Sequence, residues 1–297
     1  MTVRSSGTSL LSQTKALLHR FDLRARKSLG QHFLVDAGVL EKILETAELT
    51  PHDVVMEVGP GLGILTGELA QRAGWVIAIE LDSKLAELLK HPLTSFTNVS
   101  IINEDVLKLE PSALIEQESA KFPPTVTSPL VYKLVANLPY YITSPVLRHF
   151  CEASLKPEVM VLMVQKEVAK TIVAKPGDMS ILGISVQFYG KPEIVGYVPA
   201  RSFYPAPKVD SAILKITLYS RPPVAVTGEK SFFGVVRAGF SAPRKQLINS
   251  LAQGLDLPKA ETMSLLERAG IVAQRRAETL TLDEWAGLER EFSGRKN

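Results

Sequence analysis

Short apolar runs, separated by turns and by segments of helical periodicity, recur through residues 1–220 of the chain. Asp53–Val58 is rich in Val and Met and lies between Pro51 and Gly59, as expected for a parallel strand covered on both faces. Apolar residues at helical spacing follow, and a second apolar run, Trp75–Ile79, ends at Glu80. The pattern therefore predicts a strand, a turn, a helix and a second strand.

Further strands and helices are predicted in the same way along the chain. The predicted strands are Val99–Ile102, Leu130–Ala136, Glu158–Gln165, Ile194–Val198 and Ala212–Leu218. We expect the last two to be an antiparallel pair that closes one edge of the sheet. The predicted helices are Ser9–His19, one that begins at Asp36, Ser83–Lys90, one from Ser144 and Pro145 to about Ala153, Lys166–Ala174 and Ser180–Phe188.

The pattern becomes helical after a Pro-Pro linker that begins at Arg221. The four helices predicted there are Ser231–Ala238, Arg244–Leu251, Lys259–Ala269 and Leu282–Phe292. We therefore predict an α/β domain at residues 1–220, which includes a basic N-terminal arm at 1–35, and a small all-α domain at 221–297.

Glycines occupy alternate positions in the turn after the first strand, at Gly59, Gly61 and Gly63. They allow positive φ angles and let a ligand approach the backbone closely. A dinucleotide-binding turn needs G-x-G-x-x-G, and the position of its third glycine holds Ile64. The G-x-G-x-G found here, preceded by Glu57, is typical of S-adenosylmethionine (SAM) methyltransferases, whose cofactor has no pyrophosphate. Taken alone, the turn leaves a dinucleotide site and a plain tight turn open.

Acidic residues follow two of the predicted strands. Glu80 ends the second strand, where a carboxylate can accept hydrogen bonds from both hydroxyls of a ribose. Asp105 follows the third strand, where such folds contact the edge of an adenine, although an aspartate that only forms a turn is an equally good interpretation. Strand, turn, helix, strand and terminal acid together favour a nucleoside cofactor.

The fourth predicted strand runs into Asn137-Leu-Pro-Tyr140. Ordinary turn chemistry would explain Asn-x-Pro by itself. At the carboxyl edge of an α/β sheet, however, the Asn137 amide and the Leu138 carbonyl can accept hydrogen bonds from an exocyclic amine, and Tyr140 can stack on a planar base. Pro139 makes the segment rigid. We therefore predict that these four residues are catalytic.

Two other segments carry candidate binding residues. The N-terminal segment combines Lys27, Gln31 and His32 just before the cofactor fold, which suggests a lid on the site. A basic loop that only enters a helix at the surface is the plainer alternative. The loop 201–211 is held extended by two prolines, and its candidate residues are Phe203 and Tyr204 for base stacking and Arg201 and Lys208 for charge. A packing role for these aromatic residues is the plainer alternative.

Composition and charge narrow the class of protein. The 297 residues are 45% hydrophobic and 22% charged, which suits a globular protein with a buried core. The single cysteine, Cys151, fits a reducing compartment, and the absence of a long apolar run predicts a cytoplasmic protein without a membrane span. Residues 1–30 and 221–297 have net charges of +5 and +3, whereas 31–220 has −5. Basic ends suggest contacts with a polyanion, although a solvated surface is equally open for the C-terminal part.

Five segments that span nearly the whole chain resemble the ribosomal RNA adenine dimethyltransferases, and their small-subunit branch in particular. The segments are KSLGQHFL, MEVGPGLGILT, VANLPYYITSPVL, SFYPAPKVDSAI and VVRAGFSAPRKQLINSL. The resemblance implies a Rossmann-like class I SAM-dependent methyltransferase fold, with a seven-stranded, mostly parallel sheet and a small all-α C-terminal domain. It also implies dimethylation of N6 of two adjacent adenines in the 3′-terminal hairpin of 16S rRNA, within the 30S subunit and late in its assembly.

The resemblance also assigns roles to single residues. The implied cofactor-binding residues are His32, Leu34, Gly59, Glu80, Asp105 and Asn137, to which the glycine turn adds Gly61. The family often has Asn where this chain has His32, and a contact made by the backbone is compatible with either residue. The catalytic set becomes Asn137, Leu138, Pro139, Tyr140 and Phe203, and the RNA-binding set is Lys27, Arg201, Lys208, Arg237, Arg244 and Lys245. We expect a monomer that needs no metal.

Three alternatives stay open. A non-catalytic RNA-binding assembly or transcription factor could keep the fold without the chemistry, although intact Asn137 and Tyr140 argue against it. A 23S rRNA methyltransferase that confers drug resistance has a related sequence. A DNA adenine methyltransferase is disfavoured because no separate sequence-reading domain is evident.

Overall fold

The computed structural model describes residues 9–23, 30–126 and 131–296. The helices in these residues are α1 Leu10–Arg20, α2 Ala37–Ala47, α3 Ile64–Ala70, α4 Ser83–Leu89, α5 Pro111–Ser119, α6 Thr143–Glu152, α7 Lys166–Ile172, α8 Ile181–Tyr189, α9 Glu229–Gly239, α10 Leu247–Gly254, α11 Lys259–Arg268 and α12 Leu282–Ser293. The strands are β1 Phe33–Leu34, β2 Val54–Val58, β3 Trp75–Ile79, β4 Val99–Ile102, β5 Tyr132–Asn137, β6 Val159–Gln165, β7 Gly190–Val198, β8 Phe203–Tyr204 and β9 Ser211–Leu218. None of the described helices combines the length and the hydrophobicity that crossing a bilayer requires.

Seven strands form the main sheet, in the order β4–β3–β2–β5–β6–β9–β7. The first five pair in parallel, and β9 runs antiparallel to β6 with Ser211 opposite Gln165. The predicted seven-stranded, mostly parallel sheet is therefore confirmed. Strand β7 lies at the edge, which explains how it accommodates Pro192, a residue that cannot donate a hydrogen bond to a neighbouring strand.

The apolar runs form strands because helices cover both faces of the sheet. Every residue of β2 and β3 is buried. One core cluster joins residues of α2 and α3 to residues of the central strands, among them Ile43, Leu69, Val55, Val76 and Val135. Burial on both faces removes the alternation of polar and apolar residues, and this leaves the continuous runs seen in the sequence.

A second, two-stranded sheet links distant parts of the chain. Strand β1 pairs antiparallel with β8, with Phe33 opposite Tyr204 and Leu34 opposite Phe203. The Val35 N–H also donates to the Ser202 carbonyl at 2.9 Å. This pairing fixes the N-terminal segment against the proline-containing loop, a contact that the sequence pattern did not predict.

Several predicted elements differ from the structure at their ends, and a helix and a strand serve as examples. The helix predicted at Arg244–Leu251 begins at Leu247. The cause is a turn after Phe240 that contains Pro243 and is closed by the Lys245 N–H donating to the Ala242 carbonyl at 2.9 Å. The fourth strand begins at Tyr132, and the predicted first residue, Leu130, lies outside the described residues.

The chain divides into two compact units. The first runs up to Ala169 and resumes at Glu193–Leu218; the second comprises Lys170–Pro192 and Tyr219–Asn297. In the second unit, α9 to α12 form the expected helical C-terminal region. Its core includes Phe188 stacked on Phe232, with ring centroids 4.7 Å apart, and the fully buried Trp285. The predicted domain boundary at residue 220 stays a prediction, since the second unit also contains residues 170–192.

Candidate functional site

A cavity opens at the carboxyl edge of the main sheet, where β2, β3 and β5 end. Ligands bind at this edge in open α/β sheets. The wall includes residues 30–34, the glycine turn, the end of β3, the loop after β4 and residues 137–142. All the residues that the sequence assigned to the cofactor line this one cavity: His32, Leu34, Gly59, Gly61, Glu80, Asp105 and Asn137.

The glycine turn needs glycine at each of its three alternate positions. The φ angles of Gly59, Gly61 and Gly63 are 70°, 58° and 80°, in the left-handed region that other residues rarely adopt. A Cβ atom on Gly61 would lie only 3.1 Å from the Phe33 ring. The turn therefore exposes backbone without side chains to the cavity, and α3 begins directly after it.

Glu80 is held in one orientation at the end of β3. Its Oε1 accepts a hydrogen bond from the Asp82 N–H at 2.9 Å, and its Oε2 accepts one from the Gly61 N–H at 3.2 Å. Burial raises the pKa of this carboxyl group, and the two backbone N–H groups oppose that rise. The carboxylate oxygens still have lone pairs for a ligand, because each can accept more than one hydrogen bond.

Asp105 lines the cavity and also forms a turn, which was the alternative interpretation of this residue. Its Oδ1 accepts a hydrogen bond from the Leu107 N–H at 3.0 Å, so the side chain caps the short turn after β4. The two interpretations of this residue do not conflict, since the turn holds the carboxylate at the wall.

His32 connects three parts of the site. Its carbonyl accepts a hydrogen bond from Asn137 Nδ2 at 3.0 Å, its Nδ1 lies 2.7 Å from the Pro205 carbonyl, and its ring stacks on Tyr140 with centroids 5.9 Å apart. A carbonyl can only accept, so Nδ1 must carry the proton. The N-terminal segment thus forms a wall of the cavity; Lys27, which we expected in the same lid, lies outside the described residues.

Asn137 is the last residue of β5 and lies opposite Met163 of β6. Because the amide nitrogen of Asn137 donates to His32, its oxygen is the atom that can accept a hydrogen bond from a ligand. Leu138 and Pro139 continue along the wall, and the Leu138 side chain is buried. The chain therefore turns away from the end of β5 at the four residues that are predicted to be catalytic, Asn137-Leu-Pro-Tyr140.

Tyr140 is half-buried and is fixed by a hydrogen bond of 2.7 Å between its hydroxyl and Ser211 Oγ. Burial raises the Tyr140 pKa, so the side chain is a neutral phenol at physiological pH. No local signal indicates the contribution of Ser211, which lies 71 residues along the chain from Tyr140.

Phe203 is not brought to the cavity. Its ring is 3% exposed and belongs to a core cluster with Leu34 and Val198. In the pairing of β8 with β1, successive side chains point to opposite sides, so Phe203 points into the core and the neighbouring Tyr204 is more exposed. Stacking of Phe203 on a base stays a prediction, and it would require the ring to leave this packing.

The predicted RNA-binding cations in the described residues all have exposed side chains: Arg201, Lys208, Arg237, Arg244 and Lys245. The first two belong to the first unit and the other three to the second. Among the described residues, no three His, Cys, Asp or Glu side chains are grouped as metal ligands would be.

Glu57 is a site residue that the sequence analysis did not assign. It lies in the middle of the apolar strand β2, lines the cavity and is 1% exposed, and its Oε2 has no hydrogen-bond partner among the described residues. Burial raises its pKa to about 8, with the Thr66 hydroxyl lowering it and the nearby Glu80 raising it. A carboxylate within a fully buried strand is itself the signal that could have identified it.

We expect Glu57→Gln to stabilise the ligand-free protein at alkaline pH. The unfolded chain releases the Glu57 proton near pH 4.5 and the folded chain near pH 8. Between these values the folded state binds more protons, so the free energy of unfolding falls as the pH rises and levels off above about pH 8. Melting temperatures of both proteins from pH 5 to pH 9 should diverge across this window in favour of the variant. Parallel curves would contradict a Glu57 carboxyl group whose pKa is raised by burial.

Comparisons with known proteins agree with this geometry. The sequence model of the family "Ribosomal RNA adenine dimethylase" matches residues 22–292. A protein of Dehalococcoides mccartyi (strain CBDB1) named ribosomal RNA small subunit methyltransferase A is 52% identical over 290 residues, which cover 98% of this chain and 96% of the relative. A protein of Moorella thermoacetica with the same name is 45% identical over 94% of this chain and 96% of the relative.

Solved structures of two rRNA or dimethyladenosine methyltransferases have a similar fold. A dimethyladenosine transferase from Plasmodium falciparum superposes with a TM-score of 0.73 at 26% identity, covering 89% of this chain and 98% of that one. The 23S rRNA methyltransferase ErmE superposes with a TM-score of 0.66 at 30% identity, covering 88% and 99%. The fold is that of the class I SAM-dependent methyltransferases. With the family match over most of its length, the chain belongs to the ribosomal RNA adenine dimethylase family.

Proposed function

We propose that this protein uses SAM to dimethylate N6 of two adjacent adenines in the 3′-terminal hairpin of 16S rRNA, in the 30S subunit and late in its assembly. The observation that carries the proposal is one cavity that combines the nucleoside-binding residues with the Asn137-Leu-Pro-Tyr140 motif. The names of the relatives that match nearly the whole chain favour the small-subunit RNA as the substrate.

The residues of the cavity fit SAM. The left-handed glycine turn presents the backbone of Gly59 and Gly61, without side chains, to the cavity. The oriented Glu80 carboxylate can accept hydrogen bonds from the two ribose hydroxyls. The unpaired, buried Glu57 Oε2 can accept one from the ammonium group of the methionine part. Asp105 and His32 contribute to the remaining walls, as the resemblance implies.

When bound, the cofactor would supply an electrophilic methyl group on a sulfonium: the N6–methyl bond forms as the carbon–sulfur bond breaks, a neutral thioether is the leaving group, and N6 releases one proton to solvent. Adenine N6 is a weak nucleophile because its lone pair is delocalised into the ring. Asn137 Oδ1 and the Leu138 carbonyl can each accept one of its hydrogens, which favours a pyramidal nitrogen and directs the lone pair. Both acceptors lie on a rigid strand end next to Pro139, so alignment contributes much of the acceleration.

Tyr140 would hold the adenine by stacking. Its hydroxyl is bound to Ser211 and its ring is supported by His32, which fixes the ring plane before the base arrives. The adenine must leave its helical stack to reach this cavity, as it does in other enzymes that act on bases. Exposed cations such as Arg201, Lys208 and Arg244 would hold the rRNA backbone in a salt-dependent way.

We also propose that the protein acts in the cytoplasm, as a monomer and without a metal ion. Free carbonyl acceptors and a sulfonium donor provide the chemistry without a Lewis acid. The cytoplasmic location follows from the proposed 30S substrate.

Transfer of label from radioactive SAM to ribosomal particles tests the proposal. The substrates are 30S and 50S particles from cells that lack both modifications. We expect label only in 30S particles, on two adjacent adenines that each become N6,N6-dimethyladenosine. Label in 23S rRNA instead would favour the activity named for ErmE, and no label on either particle would favour a non-catalytic RNA-binding factor.

A further inference from the structure

An exposed aromatic side chain in the first unit has no role in the cavity. Tyr141 and Tyr197 are the two most exposed aromatic residues among those described, each 56% exposed. Tyr141 belongs to the cavity wall. Tyr197 lies near the end of β7 and is not part of the cavity wall. The Lys166 ammonium lies 5.3 Å from the centroid of the Tyr197 ring. The ring is therefore presented to solvent with a cation beside it.

The strand pairing places Tyr197 on the same edge of the sheet as the cavity. Strand β6 ends at Gln165 opposite Ser211, the first residue of β9, and the Lys166 N–H donates to the Asp210 carbonyl at 3.0 Å. The Ala200 N–H donates to Asp210 Oδ1 at 3.1 Å, which holds the end of β7 beside the start of β9. Ser211 in turn binds Tyr140 of the catalytic motif. The edge thus continues from the catalytic segment to Tyr197.

The surface around Tyr197 is suited to a polyanion with flat bases. Arg201, Lys208 and Val209 are exposed in the loop that follows Tyr197. The nearby acid Asp210 is engaged by the Ala200 N–H and lies 3.8 Å from the Lys166 ammonium. Single-stranded RNA is bound by cations along the backbone together with aromatic faces on which bases stack. The plainer alternative is that Tyr197 only packs on the aliphatic part of the Lys166 side chain. In that case loss of the ring would leave RNA binding unchanged, whereas loss of a stacking residue would weaken it.

We propose that Tyr197, supported by Lys166, is a stacking platform for an unpaired nucleotide that flanks the adenine in the cavity. The inference rests on the proposed function, since it takes the bound RNA to be the methylation substrate. A base removed from its helix leaves neighbours that also lose stacking partners. The Tyr197 ring replaces one of those partners, and the cations of the loop 201–209 hold the adjoining phosphates.

The test compares Tyr197→Ala with Tyr197→Phe, and uses Tyr219→Ala as a matched control at an exposed tyrosine outside this surface. Binding to undermethylated 30S particles is measured directly by filter retention, in the presence of S-adenosylhomocysteine. We expect Tyr197→Ala to raise the Kd about tenfold, as for a lost base-stacking contact. Tyr197→Phe and Tyr219→Ala should stay within about twofold of the wild type. The salt dependence of binding should not change in Tyr197→Ala, because the removed group is neutral.

Melting temperature and affinity for SAM show whether each variant is folded. Equal Kd values for wild type and a folded Tyr197→Ala would overturn the platform, as would a loss of affinity that Tyr197→Phe shares. These outcomes are independent of catalysis. A wild-type protein that binds the particles and transfers no methyl group would instead contradict the proposed function.

Discussion

Replacing Asn137 by alanine is expected to lower the rate of methyl transfer on the order of a hundredfold or more, as for other lost transition-state contacts. In the proposed mechanism the Asn137 amide oxygen accepts a hydrogen bond from N6 and so favours a nitrogen with a free lone pair, and alanine has no such acceptor. The variant also loses the hydrogen bond of 3.0 Å to the His32 carbonyl, so the N-terminal wall of the cavity becomes less fixed. The effect should therefore appear mainly in kcat and in part in the affinity for SAM.

The rate is measured with 30S particles at saturating SAM, so that a weaker affinity for SAM does not lower the measured rate. Asn249→Ala, at a half-buried asparagine in α10, is the matched control and should keep the wild-type rate. A kcat for Asn137→Ala within about threefold of the wild type would contradict the catalytic role of the amide, since loss of a contact made in the transition state has a much larger effect.

Replacing Glu80 by alanine is expected to weaken SAM binding about a hundredfold or more. Two hydrogen bonds from ribose hydroxyls to a carboxylate are lost, and bonds to charged groups each contribute about 1.5–3 kcal/mol. The variant also leaves the N–H groups of Gly61 and Asp82 without the acceptor that orients the glycine turn. Both losses act on the same site, so they add to the fall in affinity.

Isothermal titration with SAM measures this change without any RNA. Glu87→Ala is the matched control, because Glu87 is an exposed glutamate on α4 that pairs with Lys90 and lies outside the cavity wall. Its affinity for SAM should equal that of the wild type. An unchanged Kd in Glu80→Ala would mean that the ribose lies elsewhere.

The central strands could be predicted closely from the sequence. Trp75–Ile79 and Val99–Ile102 have the predicted ends, and Val54–Val58 begins one residue later than expected. These strands are buried on both faces, so a continuous apolar run bounded by turn residues identifies them. The carboxyl ends of parallel strands meet at one edge, which is why residues assigned one by one also proved to share a cavity.

The orientation of Phe203 could not be predicted. It depends on the pairing of two-residue strands, Phe33–Leu34 with Phe203–Tyr204, which lie far apart in the chain. Strands of two residues have no periodicity, so the sequence did not show which ring points inward. The hydrogen bond from Tyr140 to Ser211 is also a long-range contact, and it is set by the register between β6 and β9.

The grouping of residues 170–192 with the second unit is another long-range result. The sequence places this segment between predicted strands of the α/β domain, and its apolar helix gives no indication of the partner. The ring contacts of Phe188 with Phe232 and Phe233 provide that partner. Helical periodicity shows that a face is buried and does not show against what.

A crystal structure of the protein with bound SAM tests most directly whether the end of β5 is where methyl transfer occurs. We expect the ribose hydroxyls on Glu80, the adenine beside Asp105 and the sulfonium methyl group facing Asn137. A cofactor bound elsewhere, or one in this cavity with its methyl group turned away from Asn137, would contradict the proposed site.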